Sequence, residues 1–500
     1  METFLHALSN VDGLTIALLI ISLIIAVFYE MVNGFHDTAN AVAMIIYTNS
    51  MKAKYSAIMA GVMNFIGVLL GGIGVAYVIV HLLPLDIMVS SNTQTLIVMI
   101  YSLLIAALVW NFGTWYFGIP VSSSHSLIGS IIGVSAAFGL LHGYTFSDSV
   151  NWKEVYKILT VLAISPLVGF LFAYILMKLT RKVFKNPKFF KSPEDNMEGD
   201  EMKKKKPNFW MRISIIVSGA GVSFAHGSND GQKGIGLIMI ILIGILPSYY
   251  SLNLESHQYK IKQVHDSAQN LAKFYSENNQ TLSKLIQEKH LINALKIKNP
   301  DIAECDINNV YNTTSLVANK LENIKSYSEL SNDDRWKVHN AILCSDNYFS
   351  QVEKTYLLKE KDKSDYIADN RKTMVSATEY VPYWVIIAVA LALGVGTMIG
   401  YKRIVHTIGE KIGTKPINYM QGTVSQFMAM LTILLANFAH APVSTTHIVS
   451  SSVAGSMSAE SSGGVQKGTV KIIVLSWLFT LPFTALLGAA IYTALNFLFA

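Results

Sequence analysis

Charge is scarce in this 500-residue chain: Asp, Glu, Lys and Arg supply 14% of the residues, against 51% hydrophobic. So little charge does not clothe a soluble surface of this size, and a mean hydropathy of +0.39 agrees. A soluble fold is thereby set aside in favour of a polytopic membrane protein. Cysteine is scarcer still, with only Cys305 and Cys344, so one disulfide is the most the chain can form. Both cysteines fall in one polar segment, where an oxidising periplasm would allow them to pair; the alternative is two unpaired thiols in a mostly helical loop, because two cysteines at arbitrary spacing are a weak signal. The N-terminus, METFLHALSNVDG, lacks a basic leader region and a small-residue cleavage site, so the first apolar run reads as a retained helix and not as a signal peptide.

What the chain has in plenty is apolar runs, near 14 to 29, 56 to 80, 96 to 110, 155 to 177, 211 to 223, 235 to 247, 383 to 399, 427 to 437 and 470 to 499. Several are long enough for a hydrocarbon core of ~30 Å, which needs about 20 helical residues. The excess positive charge sits beside these runs. Residues 181 to 206 hold nine Lys/Arg against five Asp/Glu, the composition of a cytoplasmic loop and not of a nucleic-acid surface. Lys52, Lys54, Lys402, Arg403, Lys411 and Lys415 mark two further cytoplasmic ends.

Two motifs occur twice in the same order. NGFHDTANA (33–41) is followed by PVSSSH (120–125), and HGSNDGQKG (226–234) is followed by PVSTTH (442–447). Asp37 and Ser122 are 85 residues apart, Asp230 and Ser444 are 214 apart, and a polar stretch over 251–379 has the length of the difference. The chain therefore reads as a duplicated unit: a first membrane repeat over 1–180, a basic cytoplasmic linker over 181–209, and a second repeat over 210–250 and 380–500 interrupted by a 251–379 insert. An odd number of crossings between the repeats gives them opposite orientation. The fold expected is all-α and polytopic, an inverted-topology repeat with broken helices and re-entrant helical hairpins. The same count puts both termini and the insert on the periplasmic side. The insert's 17 Lys/Arg against 18 Asp/Glu do not decide its side.

A carboxylate inside a membrane segment costs about 2.5 to 3.5 kcal/mol on insertion scales and is kept for a pathway or a coupling ion. Asp37 and Asp230 are the leading candidates. Gly34, Gly227, Gly231 and Gly234 beside them suggest helix breaks whose freed backbone groups line a cavity. As isolated residues they would read as interfacial N-caps; their duplication favours function. Proline ahead of Ser122, Ser123 and Ser124, and of Ser444, Thr445 and Thr446, reads as a helix start with unpaired N–H groups and hydroxyl donors, a setting for an oxyanion. The ordinary alternative is interhelical hydrogen bonding. His125 and His447 are proton acceptors, anion ligands or structural histidines; His36, His226 and His440 are weaker candidates. Lys233, where the first repeat has Asn40, pairs with Asp230 or contacts substrate. Glu30 is a further buried-acid candidate for the coupling ion, with a place at the interface as the ordinary reading.

GFHDTANAVA, PVSSSHSLIG, FAHGSNDGQKGIG and PVSTTHIVSSSVAG together resemble the paired signatures of the inorganic phosphate transporter (Pit) family, in its bacterial low-affinity branch, from about residue 25 to the C-terminus. The resemblance implies a bacterial inner-membrane symporter, no enzyme and no cofactor, with phosphate held by Asp37, Asn40, Ser122, Ser123, Ser124, Asn229, Asp230, Ser444, Thr445 and Thr446. Sodium-coupled relatives carry Glu at positions matching Asn64 and Gln426; the loss of both carboxylates points to protons, carried by Asp37 or Asp230. Bacterial relatives of this kind take phosphate as a neutral metal complex, so magnesium, calcium or zinc would travel with it. The partners implied are phosphate and the lipid bilayer; a homo-oligomer is left open. A sodium-coupled carrier or a sulfate permease is the alternative within transport. An intramembrane serine hydrolase is disfavoured, because no G-x-S-x-G elbow is present and the Ser-His constellation is duplicated. An insert acting as a receptor or sensor is the remaining alternative.

Overall fold

The computed structural model describes residues 2–9, 11–83, 93–119, 121–147, 149–194, 206–288, 309–356, 360–400, 412–459 and 464–499. Helices dominate them: α1 (Glu2–Ser9), α2 (Gly13–Tyr47), α3 (Ala53–Leu70), α4 (Gly74–Val80), α5 (Thr93–Tyr116), α6 (Ser123–Leu141), α7 (Trp152–Val183) and α8 (Phe209–Ile245) precede the insert. Within it lie α9 (Gln258–Glu288), α10 (Val310–Leu321), α11 (Asn332–Tyr356) and α12 (Lys361–Val375). After it come α13 (Tyr383–Ile399), α14 (Tyr419–Phe438), α15 (Thr445–Ser458) and α16 (Lys467–Phe499). Among the described residues the only β pairing is an isolated bridge between Gly413 and Val465.

Six of these helices, α2, α3, α5, α6, α7 and α16, are long and apolar enough to cross a membrane. Their outer faces carry Ile164, Leu167 and Leu171 on α7 and Leu478, Phe483 and Leu486 on α16, all exposed. Glu30, Asp37, Asp230 and Lys233 are buried. An apolar exterior around a charged interior is the arrangement that lipid, and not water, stabilises.

The chain forms two compact units. One comprises residues 20–83, 98–240 and 383–500. In it α6 packs along α16, α7 along α15, and α3 along α13. The α6–α16 contact is close because Gly133 lies against the Ala485 carbonyl, where a side chain would collide. The other unit comprises residues 1–19, 84–97 and 241–382. Its core is formed by Leu271 and Phe274 of α9, Val317 and Leu321 of α10, Ile342 and Phe349 of α11, and Ile367 and Met374 of α12. The Asn253 N–H donates to the Ala377 carbonyl at 3.0 Å, joining the two ends of the insert. Arg335 gives its guanidinium to the carbonyls of Ser248, Tyr327, Ser328 and Leu330. Cys344 is disulfide-bonded; Cys305 lies outside the described residues, as do Lys402, Arg403 and Lys411.

The helix breaks expected at the two aspartate motifs are absent. α2 runs unbroken for 35 residues through Asp37, and α8 for 37 residues through Asp230. The glycines serve close packing instead. A side chain at Gly34 would meet the backbone of α13 at Leu393 and Thr397, and one at Gly227 would meet the backbone of α3 at Asn64. The chain is interrupted at the hydroxyl motifs, where α5 gives way to α6 and α14 to α15 across short connections. His440, in the second connection, has φ 51°. Pro120, in the first, is outside the described residues.

Candidate functional site

An α-helix returns to the same face every three or four residues. On α2 that spacing aligns Glu30, Asn33 and Asp37; on α8 it aligns His226, Asp230 and Lys233. All six side chains are buried. Each helix therefore turns a polar stripe inward, and Asp37 of one stripe meets His226 of the other.

His226 stands between the two carboxylates. Its Nε2 is 3.1 Å from Asp37 Oδ2 and 3.5 Å from Asp230 Oδ2. Its Nδ1 is 2.9 Å from Asn64 Oδ1. The Thr397 hydroxyl donates to the Leu393 carbonyl at 2.7 Å, so it accepts from Asn64 Nδ2 at 2.8 Å, and this fixes which end of the Asn64 amide faces the histidine. His226 Nδ1 thus donates to Asn64, while Nε2 faces the two carboxylates. Lys233 uses all three of its ammonium hydrogens: on Asp230 Oδ1 at 2.7 Å, on the Val443 carbonyl at 2.7 Å, and on Ser124 Oγ. Lys233 and the His226 ring thereby lie against the two carboxylates.

The hydroxyl motifs close on this cluster. Thr445 and Thr446 donate to Asp37 Oδ1 at 3.2 and 2.7 Å. Ser123 donates to Asp230 Oδ2 at 3.5 Å, and Ser124 to the Val443 carbonyl at 2.9 Å. Ser123 of the first repeat therefore serves the second-repeat aspartate, and Thr445 and Thr446 of the second serve the first-repeat aspartate. Ser122 and Ser444 act locally instead. Each is the N-cap of its helix, accepting from the backbone N–H of His125 at 3.2 Å and of His447 at 3.3 Å.

The remaining candidates divide. Asn229 bonds the connection before α15, donating to the Ala441 carbonyl at 3.1 Å and accepting from the Val443 N–H at 3.3 Å. Asn64 touches His226 directly, whereas Gln426 donates to the Ala41 carbonyl at 2.7 Å and accepts from Ser218 at 3.2 Å, away from both carboxylates. His125 and His447 face each other, ring centres 4.7 Å apart, with His447 also stacked on Trp477 at 3.9 Å. His125 Nδ1 pairs with the Ser122 hydroxyl at 2.8 Å, and neither ring touches the aspartates. The side chain of Asn40 lies outside the described residues. Glu30 is buried two turns before Asp37.

Sequence reasoning ranks His226 below His125 and His447, and the structure reverses this order: His226 holds the centre of the cluster. The signal in the sequence is its place four residues before Asp230, one turn along the same helix face. Gln232 belongs to no pattern that singles it out. Its Nε2, with two hydrogens to give, lies 2.8, 2.6 and 2.7 Å from the Gly71 carbonyl, the Ser228 carbonyl and Asn437 Oδ1, and its oxygen accepts from the Val75 N–H at 2.8 Å, pinning the break between α3 and α4. Asp37, His226 and Asp230 each offer one ligand atom, all within 4.8 Å of one another, a spacing suited to a divalent cation.

Comparison with known proteins gives this arrangement its context. The model of the phosphate transporter family matches residues 33–488. The low-affinity inorganic phosphate transporter PitA of Escherichia coli (strain K12) is 41% identical over 98% of each chain. A low-affinity inorganic phosphate transporter of Buchnera aphidicola subsp. Acyrthosiphon pisum is 42% identical over 99% of this chain and 100% of its own. A solved structure described as the sodium-dependent phosphate transporter shares the fold, with a TM-score of 0.53 and 20% identity over 96% of this chain and 99% of its own. With a family match across nearly the whole length and relatives above 40% identity, this chain belongs to the phosphate transporter family.

Proposed function

We propose that this protein imports inorganic phosphate across a bacterial inner membrane by proton-coupled symport, taking phosphate as a neutral complex with a divalent cation. The observation that carries the reading is the crossing of the two duplicated motifs, with Thr445 and Thr446 on Asp37 and Ser123 on Asp230. A bare phosphate dianion brought against two carboxylates is repelled. A magnesium, calcium or zinc ion travelling with it would sit on Asp37 and Asp230. The hydroxyls of Ser123, Ser124, Thr445 and Thr446, with Lys233, would then supply donors to the phosphate oxygens. The complex adds no net charge to the site, which lowers the cost of carrying it through the bilayer.

Both termini and the insert are assigned to the periplasmic side. The basic loops give that orientation, and the disulfide at Cys344 fits an oxidising compartment. Inverted repeats would let the site face each side in turn. Sodium coupling is the second reading, raised by the sodium-dependent transporter that shares the fold. Against it stand Asn64 and Gln426, neutral amides already committed to His226 and to the Ala41 carbonyl.

Radiolabelled phosphate uptake into proteoliposomes, under an inward proton or an inward sodium gradient and with or without magnesium, tests the proposal. Proton-driven, magnesium-dependent uptake that is lost in Asp37→Asn and Asp230→Asn is expected. Sodium-driven uptake would overturn the coupling. No uptake under either gradient, with sulfate carried instead, would overturn the substrate.

A further inference from the structure

Asp37 and Asp230 are already occupied by partners. Asp37 accepts from Thr445 and Thr446, Asp230 accepts from Lys233 and Ser123, and His226 Nε2 lies 3.1 and 3.5 Å from them.

Glu30 is the contrary case. It is 0% exposed, on the same face of α2 and about 10 Å along the axis from Asp37. One carboxyl oxygen has a single long donor, Asn33 Nδ2 at 3.4 Å, and the other has no hydrogen-bond partner among the described residues. The carboxyl group lies directly on Gly234 of α8, where any side chain would collide with it, so glycine is required there for Glu30 to reach α8. The charged and titratable groups facing it are Tyr29 and Asp37 on its own helix and His226, Asp230 and Lys233 on α8. Tyr29 is committed to the Ser123 carbonyl at 3.3 Å, and the other four are committed to one another. Among the described residues no cation is left to balance an ionised Glu30, and an unbalanced buried carboxylate is expensive.

We infer that Glu30 is the proton-carrying acid of the transport cycle, while Asp37 and Asp230 serve as the seat of the phosphate complex. This rests on the proton-coupled reading above and divides it between two places on one helix face. The proton enters from water on one side, rides as the O–H of Glu30 next to α8, and leaves to water on the other. Substrate binding needs no change in its charge.

Two measurements on the full-length protein test the inference. The first compares wild type with Glu30→Gln in proteoliposomes loaded with inorganic phosphate and magnesium. Phosphate exchange at equal pH on both sides is expected to persist in the variant, while accumulation driven by a proton gradient, and the acidification that accompanies it, are lost. Gradient-driven accumulation at the wild-type level would overturn the inference, as would loss of exchange and accumulation together in a variant that elutes as a folded protein. Failure of the wild type itself to exchange phosphate would count against the function proposed and not against Glu30. The second measurement reads wild type alone: dicyclohexylcarbodiimide, which attacks protonated carboxyls in apolar surroundings, followed by peptide mass spectrometry. Label on Glu30 and not on Asp37 or Asp230 is expected, and label on either aspartate with none on Glu30 would overturn the assignment.

Discussion

Lys233 and Asp230 form the tightest charged contact of the site, 2.7 Å apart and both buried. Such a pair is weak evidence of net stability, because withdrawing two charges from water offsets most of their attraction. Removing one partner is another matter, since the survivor is left buried and uncompensated at about 3–5 kcal/mol. Lys233→Met and Asp230→Asn should each lower the melting temperature of the purified transporter. The double variant should melt above Lys233→Met. Thermal unfolding of the four proteins in one detergent checks this, and a double variant whose losses simply add would mean that the two groups do not act as a pair. The same residues show what sequence could and could not disclose. A buried lysine three residues after a buried aspartate is legible as a pair, because the helix brings them together whatever the tertiary fold. The bond from Asn64 to His226 spans 162 positions and depends on how closely α3 approaches α8, which no local pattern encodes.

At the level of the helix, glycine is the residue most easily misread. In sequence, Gly34 and Gly227 beside an intramembrane aspartate suggest a break, since glycine weakens a helix in water. In a bilayer an unpaired backbone group is costly, so the helix persists and glycine's smallness is what counts. Gly227→Val would drive a side chain into the Asn64 backbone and move the residue that orients His226. We expect a loss of about 1–3 kcal/mol, read as a lower melting temperature, together with reduced uptake. Gly113 of α5 supplies the contrast, because a Cβ there meets nothing within 4 Å. Gly113→Ala should leave both melting and uptake unchanged; equal damage from the two substitutions would show that close approach is not what Gly227 provides. The helix starts were legible for a related reason. Ser122 and Ser444 are followed by residues whose N–H groups need an acceptor, and the hydroxyl supplies it locally. The pairing of each hydroxyl motif with the other repeat's aspartate was not legible, because it is a property of two distant segments meeting.

For the molecule as a whole, the charged interior and apolar exterior of the membrane unit contrast with the insert, whose core is built on helices with charged outer faces. The insert carries its own response to pH. Arg371 of α12 holds Asp346 at 2.9 Å and Glu353 at 3.0 Å, both on α11. Glu379, just beyond α12, is only partly exposed; burial foremost, and then the charge of Asp346, push its carboxyl up to about 7 from the ordinary 4.5, with Arg371 opposing. Between those two values the folded insert keeps a proton that the unfolded chain has released, so folding takes up hydrogen ions there. The contribution is fully present below pH 4.5 and is lost as pH rises through about 7. Hydrogen exchange of the α11 and α12 amides in the full-length protein, corrected for the intrinsic pH dependence of exchange, should show protection falling from pH 5 to pH 8. Glu379→Gln, which keeps the shape and removes the titration, should flatten that slope and preserve the low-pH protection at pH 8. A slope unchanged by the substitution would assign the pH response to other groups of the insert. None of these residues belongs to the unit that holds Asp37 and Asp230, so the slope is expected with or without added phosphate.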